Sequence, residues 1–150
     1  MSATSGEGGR IAKTPPTPPL IGTMAPFFIV ADVPRSLAFY RDRLGFALTA
    51  STGEPVPFFA LVQRGGAMLF LKSEAGIAPL PNPARHPHLR WDAYCAVAEP
   101  DALAAEFNAR GIALSAPLED TSDGLRGFEV IDPDGHVLFF GRPADQPRPR

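Results

Sequence analysis

The sequence contains a single cysteine, Cys95, among its 150 residues. One cysteine cannot form an intrachain disulfide, and no cluster of Cys and His residues has the spacing of a structural zinc site. No apolar run reaches the roughly 18 residues that a membrane-spanning helix requires, and no apolar segment near Met1 has the character of a secretory signal. These absences predict a cytoplasmic protein that has no disulfide framework, zinc cluster or membrane anchor.

An excess of basic charge is also missing. Fourteen Lys and Arg residues stand against sixteen Asp and Glu residues, which gives a formal net charge of −2. This balance gives no reason to expect nucleic acid or an anionic membrane as a partner. Hydrophobic residues make up 45% of the sequence, which is too many for an intrinsically disordered chain and normal for a globular domain.

Proline, in contrast, is abundant: the 18 prolines are about twice the usual share of roughly 5%. Residues 1–24 combine a run of prolines with glycines and no aromatic residue, so they cannot bury enough apolar surface to fold. We expect a disordered Pro-rich leader over 1–24, with an SH3-type ligand or docking strand as the alternative. We expect a folded domain over 25–142 and a disordered tail over 143–150.

Within the domain, hydrophobic periodicity predicts one order of elements twice. In the first half, an apolar strand over 26–31 precedes a helix that begins near Pro34 and ends at Gly45. Three strands are predicted to follow it, over 46–51, 57–63 and 67–72.

The second half repeats this order. A strand over 92–98 precedes a helix that begins at Pro100 and ends at Gly111, and the predicted strands that follow it are 112–116, 126–131 and 136–141. A shift of 66 residues superposes Gly45 on Gly111 and Pro34 on Pro100. The sequence therefore predicts an α+β fold of two βαβββ repeats, 25–72 and 92–141, produced by internal duplication.

Two motifs at the ends of this pattern resemble a known family. The first resembles the first-repeat signature of the vicinal oxygen chelate superfamily: Asp32-Val33-Pro34-Arg35-Ser36-Leu37-Ala38-Phe39-Tyr40, followed by Leu44-Gly45-Phe46. The second resembles the closing hairpin of that superfamily: Asp132-Pro133-Asp134-Gly135-His136. The superfamily includes glyoxalases, extradiol dioxygenases, fosfomycin-resistance enzymes and bleomycin-resistance proteins. The resemblance implies that each repeat curls its sheet into a half-barrel, with the helix outside and a ligand groove inside.

Enzymes of this superfamily hold a divalent metal with His, Gln or Glu side chains on the first and fourth strands of each repeat. The resemblance places these positions at Ala25, Phe70, Asp92 and about Phe139, or at Trp91 instead of Asp92 if the shift between the helices is used. A methyl group and two phenyl rings cannot coordinate a cation, and one carboxylate does not provide the usual three or more protein ligands. We therefore expect no metal and no cofactor.

If the former ligand positions face inward, strand alternation predicts a groove that is mostly apolar and aromatic. Such a lining suits a flat, partly aromatic organic ligand. The predicted ligand-binding residues are Phe27, Ile29, Met68, Phe70, Trp91, Asp92, Tyr94 and Phe139.

Other side chains with chemical potential have structural interpretations. His86 and His88 are expected to face solvent or a dimer contact, and His136 to cap the last hairpin or face solvent. Cys95 is expected to point towards the outer helix as a small hydrophobe. Glu129 is either a groove carboxylate or, the interpretation we favour, a charge on a rim or an edge strand. No catalytic residue is predicted.

Two classes of function remain open. The first is a binding protein of the bleomycin-resistance type, which would sequester a small organic ligand and whose groove would form between two subunits of a homodimer. Residues 25–141 carry nine Lys and Arg against fourteen Asp and Glu, so an acidic domain would attract a cationic ligand, with Asp92 as a charge partner. The second is a glyoxalase-type lyase or a dioxygenase whose metal ligands are displaced from the family positions.

Overall fold

The computed structural model describes residues 17–145. In the first repeat, strand β1 precedes helix α1, whose last part is a π-helix, and strands β2 to β4 follow: β1 Phe27–Ile29, α1 Val33–Leu37 continued by the π-helix Ala38–Arg43, β2 Ala47–Thr52, β3 Phe59–Arg64 and β4 Ala67–Lys72. A short helix, α2 (Asn82–Arg85), lies in the connection. The second repeat comprises β5 Ala93–Ala96, α3 Pro100–Ala109, β6 Ala116–Asp120, β7 Leu125–Ile131 and β8 Val137–Pro143.

Each repeat forms its own four-stranded sheet. The strand orders are β1-β4-β3-β2 and β5-β8-β7-β6, so the first strand of each repeat lies at an edge, beside the last strand. That pair is parallel in both sheets, whereas the other pairs are antiparallel. The α+β class and the two βαβββ repeats predicted from the sequence are confirmed.

The helix boundaries follow from the residues that mark them. Proline stands within the first turn of α1, at Pro34, and of α3, at Pro100, where its fixed φ suits the helix and its missing N–H is not needed. Gly45 and Gly111 follow the two helices with φ of 82° and 76°. Glycine adopts this left-handed conformation without the steric penalty of a side chain, so it ends both helices at equivalent positions.

Most predicted strand boundaries differ from the structure by one or two residues, and two further differences concern the start of β6 and the C-terminal tail. The strand expected over 112–116 begins instead at Ala116, because Ile112 is buried in the core after α3 and pairing with β7 starts at Ser115, whose N–H bonds the carbonyl of Glu129. Pro143, expected to belong to the disordered tail, instead belongs to β8 and pairs with Leu125.

The described residues include only part of the two termini for which disorder is expected. Residues 1–16 and 146–150 lie outside the described residues. Residues 17–24 form neither helix nor strand and are exposed. In the described range, 17–145, the helices are too short or too polar to cross a membrane.

Alternation along the strands divides each sheet into two faces. The core face is turned towards the helices, and the face on the opposite side, where the ligand groove is expected, is called the outer face. On β1, Phe28 is buried in the core, whereas its neighbour Phe27 is 57% exposed. The core face of each sheet packs against the helix of its own repeat. A single apolar cluster joins the two repeats, and its large members include Tyr40, Leu44, Phe46, Phe107, Phe128 and Phe140.

Polar contacts cross between the repeats in an equivalent way. The Tyr40 hydroxyl of α1 donates to Asp132 Oδ2 in the β7–β8 hairpin over 2.7 Å. Arg64, at the β3–β4 hairpin, donates two hydrogen bonds of 2.8 Å to Glu106 of α3. Tyr40 and Glu106 are 66 residues apart, the shift that relates the two helices. Each helix therefore contacts the hairpin of the other repeat.

Candidate functional site

The outer face of the first sheet carries three phenylalanine rings, which we call the Phe27 cluster: Phe27, Phe59 and Phe70. The ring centroids of Phe27 and Phe70 lie 5.9 Å apart, and Phe59 lies 5.8 Å from Phe70 and 6.5 Å from Phe27. The register explains this proximity, because Phe27 pairs with Phe70 across the parallel strands β1 and β4. Ile29 is half-buried and points to the same face by alternation.

The outer face of the second sheet carries the corresponding Trp91 cluster: Trp91, Tyr94 and Phe139. Phe139 stacks on Trp91 with centroids 4.6 Å apart and on Tyr94 with centroids 5.6 Å apart. Tyr94 pairs with Phe139 across β5 and β8, as Phe27 pairs with Phe70. Phe139 is only 1% exposed, whereas Tyr94 is 43% exposed. Tyr94 is therefore more accessible to a ligand than Phe139.

Two glycines make room for the Phe139 ring. A Cβ atom at Gly127 would lie 2.6 Å from the ring, and one at Gly141 would lie 2.5 Å from it. Both distances are below ordinary van der Waals contact. The two glycines thus let the ring lie against the backbone of the sheet, with Trp91 on top.

Charged groups fix Trp91 from two sides. The indole Nε1–H donates to Glu129 Oε2 over 3.0 Å, and the Arg90 guanidinium lies 4.9 Å from the ring centroid. Arg90 itself bonds Asp123 over 3.1 Å. Glu129 belongs to β7, which has a strand on each side. The interpretation of Glu129 as an edge-strand charge was therefore wrong, and its carboxylate lies beside the aromatic face.

Asp92 precedes β5 and has a structural role. Its Oδ1 accepts the N–H of Asn82 over 2.7 Å, and its Oδ2 accepts the N–H of Val137 over 2.8 Å. The carboxylate thereby ties the connection near α2 to the start of β8. The strand register also shows that Asp92, and not Trp91, is the equivalent of Ala25. Asp92 lies two residues before Tyr94, just as Ala25 lies two residues before Phe27.

The structure thus distributes the predicted ligand-binding residues over two surfaces. Phe27, Ile29 and Phe70 lie on the first sheet, whereas Trp91, Tyr94 and Phe139 lie together on the second. Within residues 17–145 no ring pair joins the two clusters. Met68 lines a cavity between the repeats.

Phe59 was missed by the sequence reasoning, which considered only the first and last strands of each repeat. Ala60 and Val62 of β3 are buried in the core, so the alternating residue Phe59 belongs to the outer face. The alternation of side chains along residues 57–63 could have predicted that Phe59 lies on the outer face.

The closing hairpin holds a buried polar cluster. Asp132 accepts hydrogen bonds from Tyr40, from His136 Nδ1 over 2.8 Å, and from the N–H groups of Asp134 and His136 over 2.9 Å. Of the two roles expected for His136, facing solvent is wrong, since it is 4% exposed and stacks on Phe28, whereas its bond to Asp132 lies within the hairpin that it was expected to cap. Ligand atoms of Asp132, Asp134 and His136 lie within 4.8 Å of one another, and the bonds of Asp132 give this cluster a structural role.

In this cluster the pKa of Tyr40 is raised and the pKa of Asp132 is lowered. Burial, reinforced by the Asp132 carboxylate, raises the pKa of Tyr40 well above its ordinary value. Burial also raises the pKa of Asp132, but the hydrogen bonds from His136 and Tyr40 outweigh it and leave the pKa below its ordinary value. Tyr40 is therefore a protonated donor and Asp132 an ionised acceptor.

The remaining candidates lie apart from the aromatic faces. His86 and His88 are exposed, and the N–H of His88 donates to His86 Nδ1 over 3.1 Å. Cys95 packs against the core on the helix side of β5, as predicted. Burial raises the pKa of its thiol, which keeps it protonated near neutral pH.

Comparison with solved structures finds the same fold in other proteins. TioX from Micromonospora sp. ML1 superposes with a TM-score of 0.64 at 20% identity, over 82% of this chain and 99% of that chain. The bleomycin-binding protein from bleomycin-producing Streptomyces verticillus, solved with copper(II)-bleomycin, gives 0.60 at 26% identity, over 83% and 97%. TnmS3, an antibiotic-binding protein from Streptomyces sp. CB03234, gives 0.60 at 22% identity, over 85% and 99%.

The sequence itself gives a consistent result. No curated protein matches it. Residues 21–140 match the sequence model of the Glyoxalase/Bleomycin resistance protein/Dioxygenase superfamily. This match covers both repeats, so the sheets described above are its half-barrels. The chain belongs to the Glyoxalase/Bleomycin resistance protein/Dioxygenase superfamily.

Proposed function

We propose that this protein binds a flat, partly aromatic organic molecule of the antibiotic type on its aromatic sheet faces, without a metal ion. The observation that carries the proposal is the exposure of aromatic rings on the two outer faces: Phe27 is 57% exposed and Tyr94 is 43% exposed. Each ring lies beside others that hold it in place. Such rings offer a rigid stacking surface that loses little conformational entropy on binding.

The similar structures support a binding role. The Streptomyces verticillus protein is a bleomycin-binding protein, and TnmS3 is an antibiotic-binding protein. We infer the same class of activity for this chain, with sequestration as its function.

The donor groups at the family's metal positions do not fit a divalent cation. Ala25, Phe70 and Phe139 offer no donor atom, and both oxygens of Asp92 already accept backbone N–H groups. A site that needs three or more protein ligands cannot be assembled from this set. We therefore infer that stacking and desolvation hold the ligand.

A positive charge on the ligand would find its partner in Glu129, where it would compete with Arg90, whose guanidinium lies 3.9 Å from Glu129 Oε2. The Glu129 side chain is 19% exposed and lies beside Trp91. We favour it over Asp92, whose oxygens are engaged by the backbone. The acidic balance of residues 25–141 would add long-range attraction for a cationic ligand.

Titration with metal-free bleomycin tests the proposal, because Trp91 is the only tryptophan and reports directly on the second cluster. We expect heat of binding together with a change in Trp91 fluorescence. Replacing Tyr94 with leucine should weaken binding about tenfold, which corresponds to roughly 1.4 kcal/mol. Phe39→Leu is the matched control, since Phe39 lies on α1 and packs against the core; its affinity should equal that of the wild type.

Two results would contradict the proposal. The absence of both heat and a fluorescence change would remove bleomycin-type compounds as ligands. Stoichiometric Ni, Zn, Fe or Mn in protein purified without chelator would instead favour the metal-dependent lyase or dioxygenase.

We also infer that the complete groove forms between two copies of the chain. One chain presents the Phe27 cluster and the Trp91 cluster separately, each on an open sheet face, and a second copy would supply the facing half. We expect a dimer at micromolar concentration in analytical ultracentrifugation. Phe27→Asp places a charge on the exposed face and should shift the population towards monomer, whereas Ala105→Asp, on the exposed side of α3, should not. A wild-type monomer at this concentration would rule out the inference.

A further inference from the structure

The two repeats meet at two places that the duplication makes equivalent, and these places are built differently. At the first, the long β7–β8 hairpin reaches over the edge strand β1. The His136 ring stacks on Phe28 with centroids 4.2 Å apart and planes 8° apart. Asp134 completes the closure, accepting the N–H of Ala31 over 3.2 Å and a 2.6 Å bond from Arg35. This junction is filled.

At the second junction, between β5 and the β3–β4 hairpin, neither a long hairpin nor a stacked ring pair fills the space in the described part of the chain. The β3–β4 hairpin turns with only Gly65 and Gly66 between its strands, so it cannot reach over β5 as the longer hairpin reaches over β1. The register makes Cys95 the equivalent of Phe28, because each directly follows the outer-face residue paired with the last strand, Tyr94 or Phe27. A thiol and a two-glycine turn thus stand where the other junction has two stacked rings.

The consequence is a cavity of about 610 Å³ between the repeats. Its size falls in the range of small-molecule sites, roughly 300–1,000 Å³. Besides Cys95, its deep apolar lining consists of Phe46, Leu69, Leu103, Phe107, Leu138 and Phe140. The cavity reaches residues that are otherwise buried in the core.

The charge of the lining selects the class of ligand. Among residues 17–145, Arg64 is the only charged residue that lines the cavity, and its guanidinium is already bonded to Glu106 and to the carbonyl of Leu44 over 2.7 Å. A charged ligand would lose its hydration without gaining a free partner. An apolar ligand would gain the burial that the side chain of Phe28 has at the other junction.

We propose that this inter-repeat cavity is a second small-molecule site, which takes an uncharged aromatic compound of one or two rings. The site lies within one chain, between β5, the β3–β4 hairpin and α3, and it does not require a second copy. Tyr94 and Met68 also line the cavity, so it adjoins the outer-face groove, but its deep part lies on the core side of β5, to which Cys95 points.

Indole is a suitable probe, and Cys95 provides a direct readout because it is the only cysteine. We expect calorimetry to show one indole bound per chain. Saturating indole should slow the alkylation of Cys95 by iodoacetamide at least fivefold. Replacing Cys95 with phenylalanine reproduces the residue of the filled junction and should weaken indole binding at least tenfold. Phe27→Leu, on the outer face, should bind indole like the wild type.

Three results would overturn the proposal: no heat with indole, an alkylation rate of the wild-type protein that indole does not change, or wild-type affinity in Cys95→Phe. The alkylation measurement needs no variant, so it decides the question even where Cys95→Phe does not fold. Bleomycin binding in Cys95→Phe should match that of the wild type, because Cys95 packs on the core side of β5, so failure of the cavity site and failure of the groove are distinguishable. Loss of indole binding in Phe27→Leu would assign the probe to the groove and likewise overturn the cavity site.

Discussion

Replacing Asp132 with alanine should lower the free energy of unfolding by about 3–5 kcal/mol. The Asp132 carboxylate is buried and accepts four hydrogen bonds, from the Tyr40 hydroxyl, the His136 ring and the N–H groups of Asp134 and His136. Alanine would leave these donors without their acceptor, and an unsatisfied buried donor is destabilising by roughly 1–3 kcal/mol. Because Tyr40 belongs to the first repeat, the variant also breaks a contact between the repeats.

Urea denaturation at pH 7 measures this loss. The matched control is Asp42→Ala, because Asp42 is exposed and bonds only its neighbour Arg41 among the contacts of the described chain. The control should unfold at nearly the wild-type urea concentration. If Asp132→Ala unfolded at the same concentration as Asp42→Ala, the assigned role of the cluster would be wrong.

The pH dependence of stability provides a further check on Asp132. Its pKa is lower in the folded protein than its ordinary value of 3.8, so the unfolded state takes up a proton at a higher pH than the folded state does. The stabilisation from Asp132 is therefore fully present above the unfolded pKa and is lost as the pH falls through the folded pKa. Consequently, the difference in stability between the wild type and Asp132→Ala should narrow below about pH 4.

Replacing Gly141 with alanine should destabilise the protein by about 3 kcal/mol and also disturb the Trp91 cluster. The added Cβ would lie 2.5 Å from the carbonyl oxygen of Arg126 and 2.5 Å from the Phe139 ring. The carbonyl belongs to the paired strand β7 and cannot move without disrupting the sheet. The ring must therefore shift, and Trp91, which stacks on it, must shift with it.

Chemical denaturation and Trp91 emission of the folded protein report the two effects separately. Gly66→Ala is the control, because a Cβ at Gly66 meets no atom within 4 Å. It should retain the wild-type emission spectrum and nearly the wild-type stability. An unchanged emission spectrum in Gly141→Ala would show that Trp91 does not depend on the position of Phe139.

Much of the fold follows from local features of the sequence. Pro34 and Pro100 open the helices, and Gly45 and Gly111 end them, because the backbone conformation at these positions favours those residue types. Their equal spacing revealed the duplication. Alternation along β1 and β8 also separated the core face from the outer face, since successive side chains in a strand point to opposite sides.

The roles of individual polar residues could not be obtained in this way. Asp92, predicted as a charge partner, uses both oxygens to bind backbone N–H groups from two other segments. His136, expected to cap the hairpin or face solvent, is buried between Phe28 and its own hairpin. Glu129 lies beside Trp91. Burial and hydrogen bonding depend on residues distant in sequence, and periodicity carries no information about which distant groups meet.

The sequence by itself determined the two repeats, the boundaries of their helices and the aromatic character of their outer faces, because these depend on the conformational preferences and alternation of neighbouring residues. Only the tertiary structure decided that those faces carry two separate clusters, and that one junction between the repeats is filled while the other is open. That difference depends on the packing of Phe28 and Cys95 against hairpins of unequal length. It arises where segments far apart in the chain meet, beyond the reach of any local pattern.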